Sequence, residues 1–352
     1  TDPYRVIGGT QDNGTSRSTN STFDWLNIRG ADGMDCAMHP TNADILFGCI
    51  QYGGMFKSVN GGSSTTSMST PPENSSGGWV TPIAIDPSNG DRIYAGYSDL
   101  YRNDNQANSG TSWTNVSTNV TWGGNLKGIE ACPSNSNVLY IFVSGTVYRS
   151  GNILTATPTW TTITGFTGSV NDVAVDAFDE DHVIVCTSSG RLYESTDGLA
   201  TKTEIQAGLP SSAFISCVLD RSPSQGKYVA IDGAVYFTNN TLTTWELYNN
   251  NLPKVDIDEI ELYYGNDGTR KVRVGTYGRG LWQTPMYDSS DGMCATTITS
   301  FPYLETFDSQ TLCGNTVFTC VADGSCALSG GWMNGSADDG DWSVDDLNTP
   351  SG

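Results

Sequence analysis

The stretch from residue 170 to residue 198 decides the fold, and it reads VNDVAVDAFDEDHVIVCTSSGRLYESTDG. It contains three short segments rich in Val, Ile, Leu and Tyr, separated by turns rich in Asp, Ser and Gly. Short runs of β-branched and aromatic residues between such turns are typical of antiparallel strands joined by tight connections. The stretch therefore predicts a small antiparallel sheet.

The same pattern recurs along the chain at an interval of about 40 residues. Each unit has an alternating apolar strand, a polar turn, a second apolar strand, a turn, and a third strand that carries an aromatic residue. A segment rich in Trp or Thr closes the unit as a fourth strand. The further copies begin at residues 34, 80, 126 and 215, with the sequences MDCAMHPTNADILFGCIQYGGMFKSVN, VTPIAIDPSNGDRIYAGYSDLYR, LKGIEACPSNSNVLYIFVSGTVYRS and ISCVLDRSPSQGKYVAIDGAVYFTN. Four strands at this interval correspond to one blade of a β-propeller.

We count seven units, two of which are partial. The first, from Tyr4 to Ile28, contains the second to fourth strands, and the last, from Ile257 to Met286, contains the first to third. Two closures are compatible with this pattern: the partial units complete one another in a six-bladed ring, or a chain that continues upstream supplies the missing strands. The sequence therefore predicts an all-β propeller of six to seven four-stranded blades over residues 1–286.

The composition narrows the classes of function. Only 16% of the 352 residues are charged, and the formal net charge is −21. Such a surface repels nucleic acid and anionic membranes. No apolar run reaches the roughly 18 residues of a membrane-spanning helix. We therefore expect a protein that binds no nucleic acid and does not insert into a membrane.

The turn between the third and fourth strands carries a short motif. It occurs as Ser195-Thr-Asp197-Gly198, Ser58-Val-Asn60-Gly61, Ser18-Thr-Asn20 with Trp25, and Thr238-Asn-Asn240 with Trp245, while two degenerate units keep Trp113 and Trp160. Asp or Asn at this place accepts hydrogen bonds from backbone amides two residues on, and the aromatic residue packs between blades. The motif resembles the Asp-box (BNR) repeat of sialidases, sortilin-type receptors and xyloglucanase-type glycosidases. This resemblance implies that the motif residues are structural and lie on the face away from the ligand pocket.

Two further segments resemble sortilin-like bacterial surface proteins. They are the opening Ile7-Gly-Gly-Thr-Gln-Asp-Asn-Gly14 and the tail Gly275-Thr-Tyr-Gly278-Arg-Gly280-Leu-Trp282. The glycines of the tail lie in a turn between strands rather than before a helix, which excludes a dinucleotide-binding loop. We expect Gly278 and Gly280 to let the chain pass close to the centre of the ring.

The repeat ends near Tyr287, and a second module follows. Residues 287–299 include Asp-Ser-Ser-Asp-Gly and are interpreted as a linker. Residues 300–352 begin with Ser-Phe-Pro-Tyr-Leu-Glu-Thr-Phe-Asp and resemble the opening of a MAM-type jelly-roll module, which implies adhesion or recognition. Because such a module is longer than this segment, we expect the chain to belong to a longer multidomain chain or assembly.

The cysteines indicate an oxidising compartment. Four of the nine, Cys294, Cys313, Cys320 and Cys326, lie in the last part of the chain, and this density favours a secreted, extracellular or cell-surface location. We predict a disulfide between Cys36 and Cys49, which fall on the first and second strands of one unit. The spacing of Cys313 and Cys320 suits a local disulfide, although the four C-terminal cysteines allow three pairings. Cys186 and Cys217 are more consistent with two buried thiols, and Cys132 has no evident partner.

One acidic cluster is a candidate metal site. Asp338, Asp339, Asp341 and Asp345 lie within a few residues of one another, with Asp346 beside them. Carboxylate oxygens are the ligands that Ca²⁺ prefers, but the spacing is not that of an EF-hand. A solvated acidic loop is the alternative. With two histidines and no Cys-x-x-Cys pair, a zinc site is not expected, and no cofactor is required.

A ligand is expected at the central funnel, which is lined by the loops that enter the first strands and by the turns between second and third strands. The candidate ligand-binding residues on these segments are Gln11, Asp12, Asp35, Tyr52, Tyr97, Asp172, Asp258, Tyr277 and Arg279. Carboxylates beside amides and aromatic rings suit sugar binding, because aromatic faces stack on the ring and polar groups bind the hydroxyls. We therefore expect a non-catalytic adhesion protein that recognises a glycan or an extracellular protein.

The alternative is an endo-acting glycoside hydrolase of the xyloglucanase type. Its candidate carboxylates are Asp35 with Asp258 or with Asp172, which would need a separation of roughly 5 Å for retention or 6.5–9.5 Å for inversion. A sialidase is not supported, because its arginine triad has only Arg279 as a clear funnel candidate. Solvated loop acids and turn caps remain the structural interpretation of all these carboxylates.

Overall fold

The computed structural model describes residues 5–18, 24–69, 71, 77–105, 112–249, 251–265 and 268–287. Its strands form seven antiparallel sheets, each built from consecutive strands of the chain. Each sheet is one blade, and we number the blades I to VII in chain order. The all-β propeller predicted from the repeat is confirmed. The two terminal sheets stay separate, so the expectation of a six-bladed closure is wrong and the propeller has seven blades.

The strands of blades I to III lie in the first third of the chain. Blade I contains β1 (Ile7–Thr10), β2 (Gly14–Ser18) and β3 (Trp25–Arg29). Blade II contains β4 (Gly33–Met38), β5 (Leu46–Ile50), β6 (Gly54–Ser58) and β7 (Thr66–Ser67), with a short 3₁₀ turn at Gln51–Gly53. Blade III contains β8 (Ile83–Asp86), β9 (Asn89–Gly96), β10 (Leu100–Asn103) and β11 (Thr114–Asn115).

The other four blades follow in the same order. Blade IV contains β12 (Gly128–Ala131), β13 (Leu139–Val143), β14 (Thr146–Ser150) and β15 (Thr161–Ile163). Blade V contains β16 (Val170–Val175), β17 (Val183–Thr187), β18 (Leu192–Ser195) and β19 (Thr203–Glu204). Blade VI contains β20 (Phe214–Leu219), β21 (Lys227–Ile231), β22 (Ala234–Thr238) and β23 (Glu246–Leu247). Blade VII contains β24 (Ile257–Tyr264), β25 (Arg270–Thr276) and β26 (Gly280–Pro285).

The hydrophobic core lies between neighbouring blades. The second strands β13, β17 and β21 are buried along their whole length, which explains why they read as continuous apolar runs. One core cluster joins Phe142 of blade IV to Val173 and Val185 of blade V. Burial of such side chains is the main favourable term in folding, at about 25 cal/mol per Å² of apolar surface.

Tryptophans at the fourth strands of blades III, IV and VI connect each of these blades to the one before it. The indole Nε1 of Trp113 donates to Ser69 O at 2.8 Å, that of Trp160 to Val116 O at 3.2 Å, and that of Trp245 to Ile205 O at 2.9 Å. All three acceptors lie near the outer edge of the preceding blade. The tryptophans therefore pack between blades, as the sequence predicts.

The turns between third and fourth strands are capped by side chains. In blade V, Asp197 accepts hydrogen bonds from Thr201 N at 2.8 Å and from Ser195 Oγ at 2.8 Å. Asn60 of blade II does the same with Ser64 N and Ser58 Oγ, both at 2.9 Å. These residues are structural, and the degenerate unit of blade IV retains a comparable cap.

Two details of these caps differ from the motif. In blade IV, Asn152 accepts a hydrogen bond from Thr159 N at 2.8 Å, although the unit lacks the full motif. In blade VI the capping residue is Asn239, which accepts from Thr241 N and Leu242 N, both at 3.0 Å. Asn240, the residue that the motif aligns with Asp197, is one position too late for this cap.

Antiparallel strands place alternate turns on opposite faces of the propeller. We call the face with the turns between second and third strands, and with the segments entering first strands, the funnel face. The opposite face, which carries the capped turns, is the box face. There the capped turn packs on the turn between first and second strands, as Gly198 N donates to Asp181 O and Gly61 N to Asp44 O, both at 2.9 Å.

Gly9 and the pair Gly278 and Gly280 have different roles. Gly9 packs on blade II so closely that an added Cβ would lie 2.0 Å from Met34 O. Gly278 and Gly280 have φ of 76° and 72°, and an added Cβ would meet nothing within 4 Å. The expected close approach at Gly278 and Gly280 is therefore wrong, and these glycines are required by their left-handed backbone.

Contacts divide the chain into two units, and the described residues of the second unit are 264–265, 268–270 and 285–287. In the second unit the described backbone includes a Gly265 N to Thr269 O bond of 2.7 Å and a Met286 N to Arg270 O bond of 3.2 Å. The predicted linker after Tyr287 and the predicted module over residues 300–352 lie outside the described residues. Over the part that is described, no helix has the length and apolarity needed to cross a membrane.

The cysteines of the propeller are free thiols. Cys36 and Cys49 are not bridged, so that predicted disulfide is wrong. Cys36 of β4 pairs with Gly48 of β5, so Cys49, the next residue, points to the opposite face of the sheet, and Cys36 Sγ donates to Met34 O at 3.3 Å. Cys132, Cys186 and Cys217 are buried and unbridged. The predicted Cys313–Cys320 pair lies outside the described residues.

Candidate functional site

The funnel face carries most of the predicted ligand-binding residues as exposed side chains. Gln11 and Asp12 lie in the turn between β1 and β2, and Asp258 lies at the start of β24. Tyr277 and Arg279 lie in the turn between β25 and β26, and Tyr277 is 74% exposed. The fold therefore presents these residues to solvent on one face, where a ligand has access to them.

Tyr97 is the exception among the predicted aromatic residues. It is fully buried, its hydroxyl donates to Gly53 O at 2.6 Å, and its ring packs edge-on against Tyr101. The prediction that Tyr97 contacts a ligand is wrong. The residue instead supports the turn that carries Tyr52.

Tyr52 and Trp79 form an exposed aromatic pair on the funnel face. Their ring centroids are 5.3 Å apart and the ring planes meet at 79°. Tyr52 is 53% exposed and Trp79 is 43% exposed. Tyr52 was predicted, but Trp79, in the segment that enters β8, was not. We call this pair the aromatic corner.

The first strands of the blades line the central channel, as in other propellers, and they carry a second set of polar groups. Asp35 of β4 accepts a hydrogen bond from Ile83 N of β8 at 2.9 Å. Asp172 of β16 accepts from Cys217 N of β20 at 3.0 Å and from Ser216 Oγ at 2.8 Å. Both carboxylates thus satisfy backbone donors of the first strand in the next blade.

Three glutamates join these two aspartates. Glu130 of β12 accepts a hydrogen bond from the backbone of Val175 in β16, which repeats the same link between blades IV and V. Glu259 and Glu261 of β24 interact with one another. Both side chains are accessible to solvent in the channel. We call Asp35, Glu130, Asp172, Glu259 and Glu261 the channel carboxylates.

Burial raises the pKa of every channel carboxylate. The pKa of Asp35 rises to about 7, with a further contribution from Glu259. The pKa of Glu130 rises to about 8, with a contribution from Asp172, and that of Asp172 rises to about 6. The pKa values of Glu259 and Glu261 are also raised by burial. Part of the set is therefore protonated near neutral pH.

Asp258, the candidate partner of Asp35, is not among the groups that shift the pKa of Asp35. The charged neighbour that acts on both Asp35 and Asp172 is Glu259. Asp258 is exposed, and its pKa is raised by partial burial and by Asp256. Glu130 and Glu261 were missed by the sequence analysis, although a charged residue inside an otherwise apolar first strand is a signal that singles them out.

Metal binding has limited support. Among the described residues no group of three or more His, Cys, Asp or Glu side chains is arranged to hold a metal ion. The candidate calcium ligands Asp338, Asp339, Asp341 and Asp345 lie outside the described residues. Calcium binding there stays a prediction.

A buried histidine lies on the box face of blade V. His182 Nε2 is 2.9 Å from Glu194 Oε1, and His182 Nδ1 is 3.4 Å from Asp176 Oδ2. Lys227 Nζ lies 3.1 Å from the same Glu194 oxygen. The hydrogen bond to Glu194 raises the pKa of His182. This buried cluster of two acidic and two basic side chains lies next to a cleft of about 390 Å³ that is lined by Phe178 and Arg221.

Comparisons with known proteins give the fold alone. No family model matches the chain, and no curated protein matches it. Among solved structures, an ancestral GH74 enzyme is similar with a TM-score of 0.65 and 16% identity, covering 82% of this chain and 44% of that chain. The GH74 xyloglucanase from Xanthomonas campestris is similar with a TM-score of 0.59 and 15% identity, covering 81% and 50%. YCF48 from Cyanidioschyzon merolae is similar with a TM-score of 0.61 and 12% identity, covering 81% and 92%.

These similarities place the chain in the class of β-propellers. The chain spans about half of the length of the two GH74 enzymes or less, and nearly all of YCF48. At these identities the shared architecture carries no substrate or partner to this chain.

Proposed function

We propose that this chain is the recognition part of a secreted or cell-surface protein, which binds a glycan or a protein through the funnel face without catalysis. The observation that carries the proposal is that the polar groups of this face fall into two sets, one hydrogen-bonded within the protein and one exposed to solvent. Asp35 and Asp172 accept hydrogen bonds from backbone donors of the next blade. In contrast, aromatic and acidic residues in the turns of the funnel face are exposed. Exposed aromatic residues beside polar groups are characteristic of binding surfaces.

The test is a binding screen with the full chain against a glycan array and a panel of extracellular proteins. Tyr277→Ala and Asp258→Ala remove exposed funnel-face side chains and are expected to weaken the binding found. Phe178→Ala is the matched control, because Phe178 is 73% exposed on the box face. A ligand whose binding is lost only in the Phe178 variant would place recognition on the other face and contradict the proposal.

A glycoside hydrolase of the xyloglucanase type is the second candidate. It is favoured by the likeness to two GH74 enzymes and by the pKa of Asp35, raised to about 7, which keeps a proton available as a general acid needs. Glu259 contributes to the raised pKa of both Asp35 and Asp172. Release of reducing sugars from a β-glucan by the wild type, lost in both Asp35→Asn and Asp172→Asn, would establish the hydrolase and overturn the non-catalytic proposal.

A further inference from the structure

The aromatic corner has the shape of a receptor for a compact group. Tyr52 and Trp79 meet nearly at right angles, so one ring presents its face where the other presents its edge. Val80, next in the chain, is 49% exposed beside them. Three adjacent large apolar side chains at a functional face are more than scattered exposed residues, and they indicate a contact site.

The backbone holds Tyr52 in a conformation that its side chain disfavours. Its φ is 61° and its ψ is 22°, the left-handed region that a bulky residue rarely adopts. The turn is fixed from below, because Tyr97 donates its buried hydroxyl to Gly53 O, and from the side, because Tyr52 N donates to Trp79 O at 3.4 Å. A residue kept in such a conformation by its surroundings is a reason to look for a role of the exposed side chain.

The charge around the corner has one sign. The funnel-face segments of blades I to III are residues 11–13, 30–32, 51–53, 77–82 and 97–99. They contain Asp12, Asp32 and Asp99 and neither lysine nor arginine. Their position in a chain with a net charge of −21 adds to this negative potential.

Asp32 is held next to the turn that carries Tyr52. Gln51 N donates to Asp32 O at 3.2 Å, and Asp32 N donates to Gln51 Oε1 at 3.2 Å. The Asp32 Oδ1 atom accepts a hydrogen bond from Asp12 N at 2.8 Å. The Asp32 backbone is thus fixed next to the turn that carries Tyr52, and its carboxylate is held on the blade I side of that turn by Asp12 N.

From this arrangement we propose that the aromatic corner, with Asp32 and Asp12, binds a positively charged lysine or arginine side chain of a protein partner. Aromatic faces attract a cation placed over them, and Trp and Tyr do so best. The carboxylates supply the opposite charge. A neutral sugar ring would stack on the aromatic faces but would gain nothing from the negative charge around them. The negative charge therefore favours a cation as the ligand. The inference rests on the proposed function and names the partner chemistry for that face.

The experiment measures binding of a short fluorescein-labelled peptide of alternating lysine and glycine to the full chain by fluorescence anisotropy. We expect binding that weakens with added salt, because exposed charge pairs are screened. Tyr52→Gly and Trp79→Ala are each expected to weaken it about tenfold. Tyr52→Gly is informative because glycine adopts the left-handed backbone freely, so a loss of binding does not reflect misfolding.

Asp32→Asn tests the carboxylate while keeping a side chain of the same shape. It is expected to weaken peptide binding and to flatten its salt dependence. Phe178→Ala, an exposed aromatic residue on the box face, is the matched control and is expected to bind as the wild type does.

Three results of the peptide assay would overturn the inference. They are the absence of peptide binding, equal binding by a peptide in which serine replaces lysine, and unchanged binding in both Tyr52→Gly and Trp79→Ala. Binding of a neutral cello-oligosaccharide that is lost in Tyr52→Gly, without peptide binding, would also overturn it but would leave the proposed function standing. If the ligands found in the broader screen bind the funnel-face variants as well as they bind the wild type, the proposed function itself is contradicted.

Discussion

Ser216 donates its hydroxyl proton to Asp172 Oδ2 at 2.8 Å, and the same hydroxyl oxygen accepts the backbone N–H of Ile260 at 3.2 Å. Asp172 Oδ2 also accepts the N–H of Cys217 at 3.0 Å. One hydroxyl and one carboxylate therefore connect the first strands of blades V, VI and VII. First strands have backbone groups that no fifth strand satisfies, and unpaired buried donors are costly.

Removal of the hydroxyl in Ser216→Ala is expected to destabilise the propeller. Ser216 is buried, and the change leaves the Ile260 N–H and one Asp172 oxygen without this partner. The expected loss is about 1–3 kcal/mol of unfolding free energy, or about 2–4 °C of melting temperature per kcal/mol for a domain of this size. Thermal and urea unfolding measure it. Ser211→Ala, at an exposed serine, is the control, and equal effects of the two changes would contradict the link.

The channel carboxylates favour the folded state more in acid than in weak base. The pKa of Glu130 is about 8 in the folded chain and about 4.3 in the unfolded chain. The native state therefore holds the proton more tightly, so this group favours folding below about pH 4 and its contribution is lost as the pH rises toward 8. Asp35, with a pKa of about 7, acts in the same direction.

Glu130→Gln removes this titration and keeps an oxygen that accepts from Val175. We expect it to raise the melting temperature at about pH 8 by roughly 2–4 °C and to leave it unchanged at about pH 4. Glu246→Gln removes an equal charge from an exposed position and controls for net charge. If both variants gain equally at the higher pH, general repulsion accounts for the effect and burial of Glu130 does not.

Local pattern was sufficient to predict the blades, but not the links between them. Apolar runs such as that of β17 and the turns beside them repeat within each unit, so the strands were predicted from neighbours in sequence. The acceptors of the channel come from the adjacent blade. Asp35 and Ile83 are 48 residues apart, and Asp172 and Cys217 are 45 apart. No local pattern records such a pairing.

The same reason explains the individual errors. Tyr97 follows the pattern of an exposed turn residue, yet it is buried because Gly53 of the preceding blade lies above its hydroxyl. Cys36 and Cys49 lie on paired strands, but Cys36 pairs with Gly48, so Cys49 points to the opposite face of the sheet, and the sequence alone does not show this register. Tyr52 was found because its turn has the right position, whereas its partner Trp79 comes from a segment between two units.

His182 provides a separate prediction of pH dependence. Its pKa is raised above the usual value by the hydrogen bond to Glu194. The stabilisation is therefore fully present below about pH 6.5, the pKa of an unfolded histidine, and is lost as the pH rises through the folded pKa. Titration of the imidazole resonances by NMR measures this directly, since His39 is the only other histidine.

Glu194→Gln is the informative variant for His182. It keeps the shape of the partner but removes its charge, so the pKa of His182 is expected to fall. His39→Gln assigns the two resonances. A His182 resonance that titrates at the same pH with and without Glu194 would contradict the ion network.

Asp197 tests the structural role of the capped turns. Its carboxylate accepts hydrogen bonds from Thr201 N and Ser195 Oγ, both at 2.8 Å, and from Thr201 Oγ1 at 2.6 Å. Asp197→Ala leaves these donors without their acceptor and is expected to lower the urea concentration at the unfolding midpoint, as the loss of a turn cap does. Asp197→Asn keeps an acceptor oxygen, as Asn60 does in blade II, and is expected to lower it less. Because the turn lies on the box face, neither variant is expected to change binding of the lysine peptide at the funnel face. Urea unfolding and the anisotropy assay together separate the two roles, and weaker peptide binding by a fully folded Asp197→Ala chain would show that the box face takes part in recognition.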